Sequence, residues 1–173
     1  DRISVFRFHK VPNQQDPFSP SDIDLAGFSD LLDFIQQHFQ VLPLSEAVSR
    51  LIAGKLERGG ACITFDDGYS NWATGVAPVL EQRSLPATFY ITTGQFFGRP
   101  MWHERLANIV RSATTDFLDT NRFRLPRLPI GTLKEKQAAI GALEYHFKYL
   151  PIVIRDKYLL ELEEANDVQP TRL

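Results

Sequence analysis

Residues 61–65, ACITF, run without a charged residue into Asp66, Asp67 and Gly68. A run that is apolar at consecutive rather than alternating positions, with a β-branched centre, reads as a strand covered on both faces. That is the pattern of a parallel sheet with helices on either side. In such folds the groups that handle ligands gather at the carboxyl ends of the strands. The acid pair stands at one of those ends, in a turn that Gly68 tightens. Two adjacent ionised carboxylates repel each other, and a bound cation or a raised pKa on one of them relieves the repulsion. The plainer alternative is an Asp-Asp-Gly turn whose carboxylates cap the next helix.

The flanking sequence repeats the pattern. RISVFRF, 2–8, alternates apolar and polar residues and reads as a first strand. A Pro-rich loop follows, and then Phe28, Leu31, Leu32, Ile35 and Phe39 share one face of a helix. QVLPL, 40–44, reads as a short strand, and Ser45 as the cap of a helix reaching Ala53. After the acid pair, Asn71 reads as the cap of a helix to Arg83, and LPATFYITTG as a further buried strand ended by Gly94. The order βα, βα, βα, β predicts a parallel α/β sheet or barrel.

The pattern changes beyond that point. MWHERLANIVRSA reads as a helix, and DFLDTNRFRL as a hairpin turning near Asp119 to Asn121. Thr132 and Glu135 match a capping box for a helix from Leu133 to Leu150, and Pro151 suits the first turn of another helix ending near Ala165. Four parallel-strand candidates are fewer than the eight or so of a closed α/β barrel. The expectation is therefore one domain over 1–173 with an incomplete (β/α) barrel-like sheet. The βα units occupy 1–100, and a mostly helical insertion occupies 101–173.

Composition narrows the function. At 43% hydrophobic and 23% charged over 173 residues, with a net charge of -2, the chain has no basic field for nucleic acid or an anionic membrane. No apolar run has the ~18 residues of a transmembrane segment. The lone cysteine, Cys62, excludes an intramolecular disulfide and a multi-cysteine zinc site, and reads as a buried thiol.

TFDDGYSNW, followed by a helix and LPATFYITTG, resembles the polysaccharide deacetylase family, the NodB-like carbohydrate esterases. RFHKV looks like that family's first-strand segment, and MWHERL like a Trp-led segment of one of its branches. The resemblance spans about residues 3–110. It implies a distorted (β/α) barrel that removes acetyl groups from a polysaccharide or glycan with a divalent metal, zinc first among the choices. It further implies Asp66 as general base and Asp67 as metal ligand. A metal polarises an acetyl carbonyl and holds a water, and a carboxylate nearby takes the water's proton. The family's paired metal histidines have no counterpart, since His9, His38, His103 and His146 are isolated. The chain therefore reads as the N-terminal part of a deacetylase domain, inactive by itself.

His9, at the end of the first strand, Tyr69 and Trp72, beside the acid pair, and Trp102, at a helix start, are candidates to meet the glycan. His38 and His146 read as structural. His103-Glu104 is not a zinc-protease start, because Ala107 stands where the second histidine belongs. Two alternatives remain. One is a carbohydrate-binding relative without catalysis. The other is a magnesium-dependent phosphoryl-transfer domain, which the adjacent rather than alternate spacing of the carboxylates disfavours.

Overall fold

The computed structural model describes residues 2–93, 100–123 and 125–168. The chain divides into two compact units, Asp1–Thr93 and Gly94–Leu173.

The first unit is α/β. Its elements are β1 (Ser4–Phe8), α1 (Leu25–His38), β2 (Gln40–Val41), α2 (Leu44–Ile52), β3 (Gly60–Phe65), a π-helix (Trp72–Val76), α3 (Ala77–Gln82) and β4 (Thr88–Phe89). All pairing in this sheet is parallel. Ser4 to Phe8 lie beside Ala61 to Phe65, while Val41 pairs with Ala61 and Phe89 with Phe65. A strand has two edges, so β1 takes one edge of β3, and β2 and β4 share the other. The expected α/β class with a parallel sheet and its four strands is present, and β3 is its centre. The sheet of the described residues is four-stranded, and its pairings do not close a barrel.

Every residue of β3 is buried. Alternate side chains of a strand point to opposite faces. On one face Ile63 and Phe65 pack with Phe28, Leu32 and Ile35 of α1 and with Leu80 of α3. On the other, Cys62 packs with Leu42, Ala47 and Leu56. The buried stripe Phe28, Leu32, Ile35 is the face read from the sequence. Helix α1 begins earlier than that stripe, because Asp24 accepts a 2.9 Å hydrogen bond from the Gly27 N–H and caps it.

Three local expectations change. Ser45 does not cap α2: the helix starts at Leu44 after Pro43, whose carbonyl already accepts from the Ala47 N–H at 2.9 Å. Asn71 does not cap the next helix, since its side-chain amide donates to the Val11 carbonyl instead. That helix opens as a π-helix, with the Ala77 N–H bonded to the Trp72 carbonyl five residues back. The fourth strand pairs only at Thr88 and Phe89, while Tyr90 and Ile91 are exposed. Gly94, expected to end it, lies outside the described residues.

The second unit is mostly helical: α4 (Trp102–Ser112), β5 (Phe117–Leu118), β6 (Leu128–Pro129), α5 (Leu133–Phe147) and α6 (Ile152–Ala165). The hairpin is wider than expected. Asn121–Phe123 is a short 3-10 turn, and the partner of β5 is Leu128–Pro129, beyond the RFRL arm. The Thr132–Glu135 capping box is formed. Pro151 is the N-cap of α6 rather than part of its first turn. Leu106, Ile109, Leu143, Phe147, Leu159 and Leu162 are buried. Beneath the surface, Arg105 grips Glu163 with two hydrogen bonds, at 2.9 and 2.8 Å. Among the described residues no helix is long and apolar enough to cross a membrane.

Candidate functional site

The parallel ladder carries one step beyond β3. The Asp66 N–H donates to the Phe8 carbonyl at 2.9 Å, and the Tyr90 N–H donates to the Phe65 carbonyl at 2.7 Å. The acid pair therefore leaves the sheet between the carboxyl ends of β1 and β4. Asp67 and Gly68 then reverse the chain, with φ of 88° and 81°. Left-handed backbone costs an L-residue roughly 1–2 kcal/mol, and aspartate is among the side chains that tolerate it best. Strain of this kind gathers at functional turns. Glycine suits the position next to it, because a φ of 81° strains any L side chain and a Cβ on Gly68 would stand only 3.2 Å from Ile91 Cγ2.

Asp66 has the parity of Cys62 and Thr64, and so it leans to the face of β1 that carries Arg7. Its Oδ2 lies 3.9 Å from His9 Nε2 and 4.0 Å from Arg7 Nε. About a third of the Asp66 side chain is open to solvent, and Arg7 and His9 are more open still. Pairs as exposed as these contribute at most about 1 kcal/mol each, so they bias the carboxylate's orientation rather than hold the fold. His9 thus stands beside Asp66, as its strand-end position suggested. Arg7 was missed. The signal for it was the alternation of RISVFRF, which sets Arg7 on the face opposite Phe6 and Phe8.

Asp67 is half-buried. Tyr69 is half-buried as well, its ring edge-on to Trp72 at 6.2 Å. Trp72 is almost fully enclosed, at 6% exposure, among Phe65, Tyr69 and Phe89. Its indole Nε1–H donates to the His9 carbonyl at 2.8 Å. Trp102 opens α4 in the second unit, half-buried, with the Arg155 guanidinium 4.9 Å over its ring and His103 edge-on at 5.6 Å. His38 bonds to the Phe34 carbonyl within its own helix, and His146 sits in the last turn of α5. Among the described residues, no three His, Cys, Asp or Glu side chains converge to hold a metal ion.

Burial pushes the Cys62 thiol above its ordinary pKa, as befits an inert core residue.

Residues 53–116 match the model of the family described as polysaccharide deacetylase. No curated protein matches the chain. Among solved structures, the chain is similar to a de-N-acetylase from Aggregatibacter actinomycetemcomitans, at 18% identity and a TM-score of 0.42. That likeness covers 75% of this chain and 45% of the other, so this chain spans less than half the length of that enzyme. It is also similar to IcaB from Ammonifex degensii, at 19% identity and a TM-score of 0.49, over 92% of this chain and 80% of the other.

Proposed function

We propose, from the match of residues 53–116 to the polysaccharide deacetylase model, that this chain supplies the N-terminal part of a hydrolase that removes acetyl groups from a glycan. Asp66 is the general base and Asp67 a ligand to a divalent metal, zinc first. The observation that supports the reading best is the position of the acid pair. It lies inside the matched residues, at the carboxyl end of the fully buried central strand.

The chain's own contribution is a carboxylate set at a strand end with its direction biased. Arg7 and His9 draw Asp66 Oδ2 to one side, and the backbone bond from Asp66 to Phe8 fixes where the side chain starts. A base so oriented takes a proton from a water attacking an acetyl carbonyl. When bound, the metal would polarise that carbonyl. Catalytic zinc usually takes three protein ligands, and the described residues bring no such trio together. They do not make a complete zinc site by themselves, and Asp67 is the one ligand this reading names. In the first unit, Tyr69 is the aromatic surface proposed to meet a sugar ring, with His9 beside Asp66; Trp102, in the second unit, is proposed separately as a sugar-facing aromatic.

Acetate release from N- and O-acetylated oligosaccharides, measured on the natural full-length protein with and without chelator, tests the proposal. Release that Asp66→Asn abolishes supports it. Glycan binding without release under every metal condition would point to a non-catalytic carbohydrate-binding relative.

A further inference from the structure

The geometry points to Trp72 as a positioning residue for the Asp66 carboxylate, acting through the backbone of His9. The inference deepens the reading of Asp66 as a base and rests on it.

Trp72 is enclosed, and its ring lies 5.5 Å from that of Phe65 and 5.4 Å from that of Phe89. An indole N–H in such surroundings needs an acceptor, and its bond to the His9 carbonyl at 2.8 Å provides one. The same loop is caught again two residues on, where the Asn71 amide donates to the carbonyl of the wholly buried Val11. The segment after the acid pair thus clasps the exit of β1 at two carbonyls. The distances of 3.9 and 4.0 Å from Asp66 to His9 and Arg7 are longer than hydrogen bonds. Contacts that loose do not place themselves. Both side chains are largely open to solvent, so the position of the His9 ring follows from where its backbone is held. Trp72 holds it. Its burial leaves little of the ring to meet a sugar, and its influence on the reaction passes through His9 to Asp66.

Trp72→Phe keeps an aromatic ring in the core and removes the donor. In the 173-residue chain, Asp66→Asn is expected to shift the His9 ring resonances by NMR. In the Trp72→Phe background that response is expected to be lost. Equal responses in both backgrounds overturn the inference. A second measurement needs no substitution and stands even if Trp72→Phe fails to fold. The Trp72 indole proton of the unmodified chain should exchange with solvent at least about tenfold more slowly than that of free tryptophan, as a buried bonded donor does. Exchange at the free rate overturns the inference too. In the active full-length protein, Trp72→Phe should lower kcat about tenfold with KM nearly unchanged. A rise in KM at constant kcat would place Trp72 on the substrate instead. If the His9 response is intact but no acetate is ever released, the deacetylase reading fails while the clasp itself stands.

Discussion

A Cβ on Gly68 would stand 3.2 Å from Cγ2 of Ile91. The turn that carries the acid pair is pressed against the chain leaving β4, with the Ile91 Cα and the Thr92 nitrogen close behind. Gly68→Ala meets both this contact and a φ of 81°. It should cost roughly 1–3 kcal/mol, the range for a residue forced into such a conformation. Urea unfolding followed by circular dichroism gives the number, and an unchanged midpoint would mean that the turn relaxes freely.

The two carboxylates should separate in their effects. On the proposed roles, Asp66→Asn in the full-length protein is expected to cut acetate release by about 10²-fold or more, the scale of a lost general base, while metal content stays near normal. Asp67→Asn should lower both. Metal analysis alongside initial rates decides, and near-normal turnover by a metal-loaded Asp66→Asn protein would refute the assignment.

Much of this site was legible because it depends on short-range pattern. The central strand announced itself, since a run from Ala61 to Phe65 with no charged residue and a β-branched centre fits a strand covered on both faces. The proximity of His9 to Asp66 followed from both lying at strand ends. What escaped reading depends on partners distant in sequence. Asn71 has the chemistry of a cap, but the Val11 carbonyl, sixty residues away, claims its amide. LPATFYITTG has the composition of a long strand, yet among the described residues its strand is only Thr88 and Phe89, with the Tyr90 N–H adding a last bond to the Phe65 carbonyl, because backbone extends as a ladder only where a neighbour is present. Ser45 is a good capping residue one position too late, and Pro43, with its fixed φ, set the helix start first.

Cys62 gives a pH signature. Its thiol has a raised pKa in the folded chain, so the folded state holds the proton to higher pH than the unfolded state does. Stability from this group is complete below the unfolded thiol value of about 8.5 and is lost as pH rises through the folded one. Denaturant midpoints should therefore fall above that pH. Replacing Cys62 by Ala should remove this component of the slope, and an identical slope in the variant would assign it to other groups. Thiol reagents should reach Cys62 only on unfolding.

In the second unit, the Arg105–Glu163 pair is nearly closed to water, with side chains 16% and 6% exposed. Removing one partner strands the other charge. Glu163→Leu alone should therefore destabilise by about 3–5 kcal/mol, whereas Arg105→Met together with Glu163→Leu should recover most of the loss. Thermal unfolding of the unsubstituted chain and the two variants makes the comparison, and a double variant no better than the single one would show that the pair does more than cancel its own charges.

The π-helix at Trp72–Val76 makes the spacing after the acid pair countable. It is one residue longer than an α-helical turn would need, and that surplus lets two demands be met at once. Trp72 reaches back to His9, while Val76 and Leu80 still enter the core. Successive residues of an α-helix are about 100° apart. Deleting either exposed residue, Ala73 or Thr74, would turn one end of the segment by that angle, and one of the two demands would go unmet. Substitution at these positions should be almost free and loss of a single one severe, so here the protein guards length where it does not guard identity.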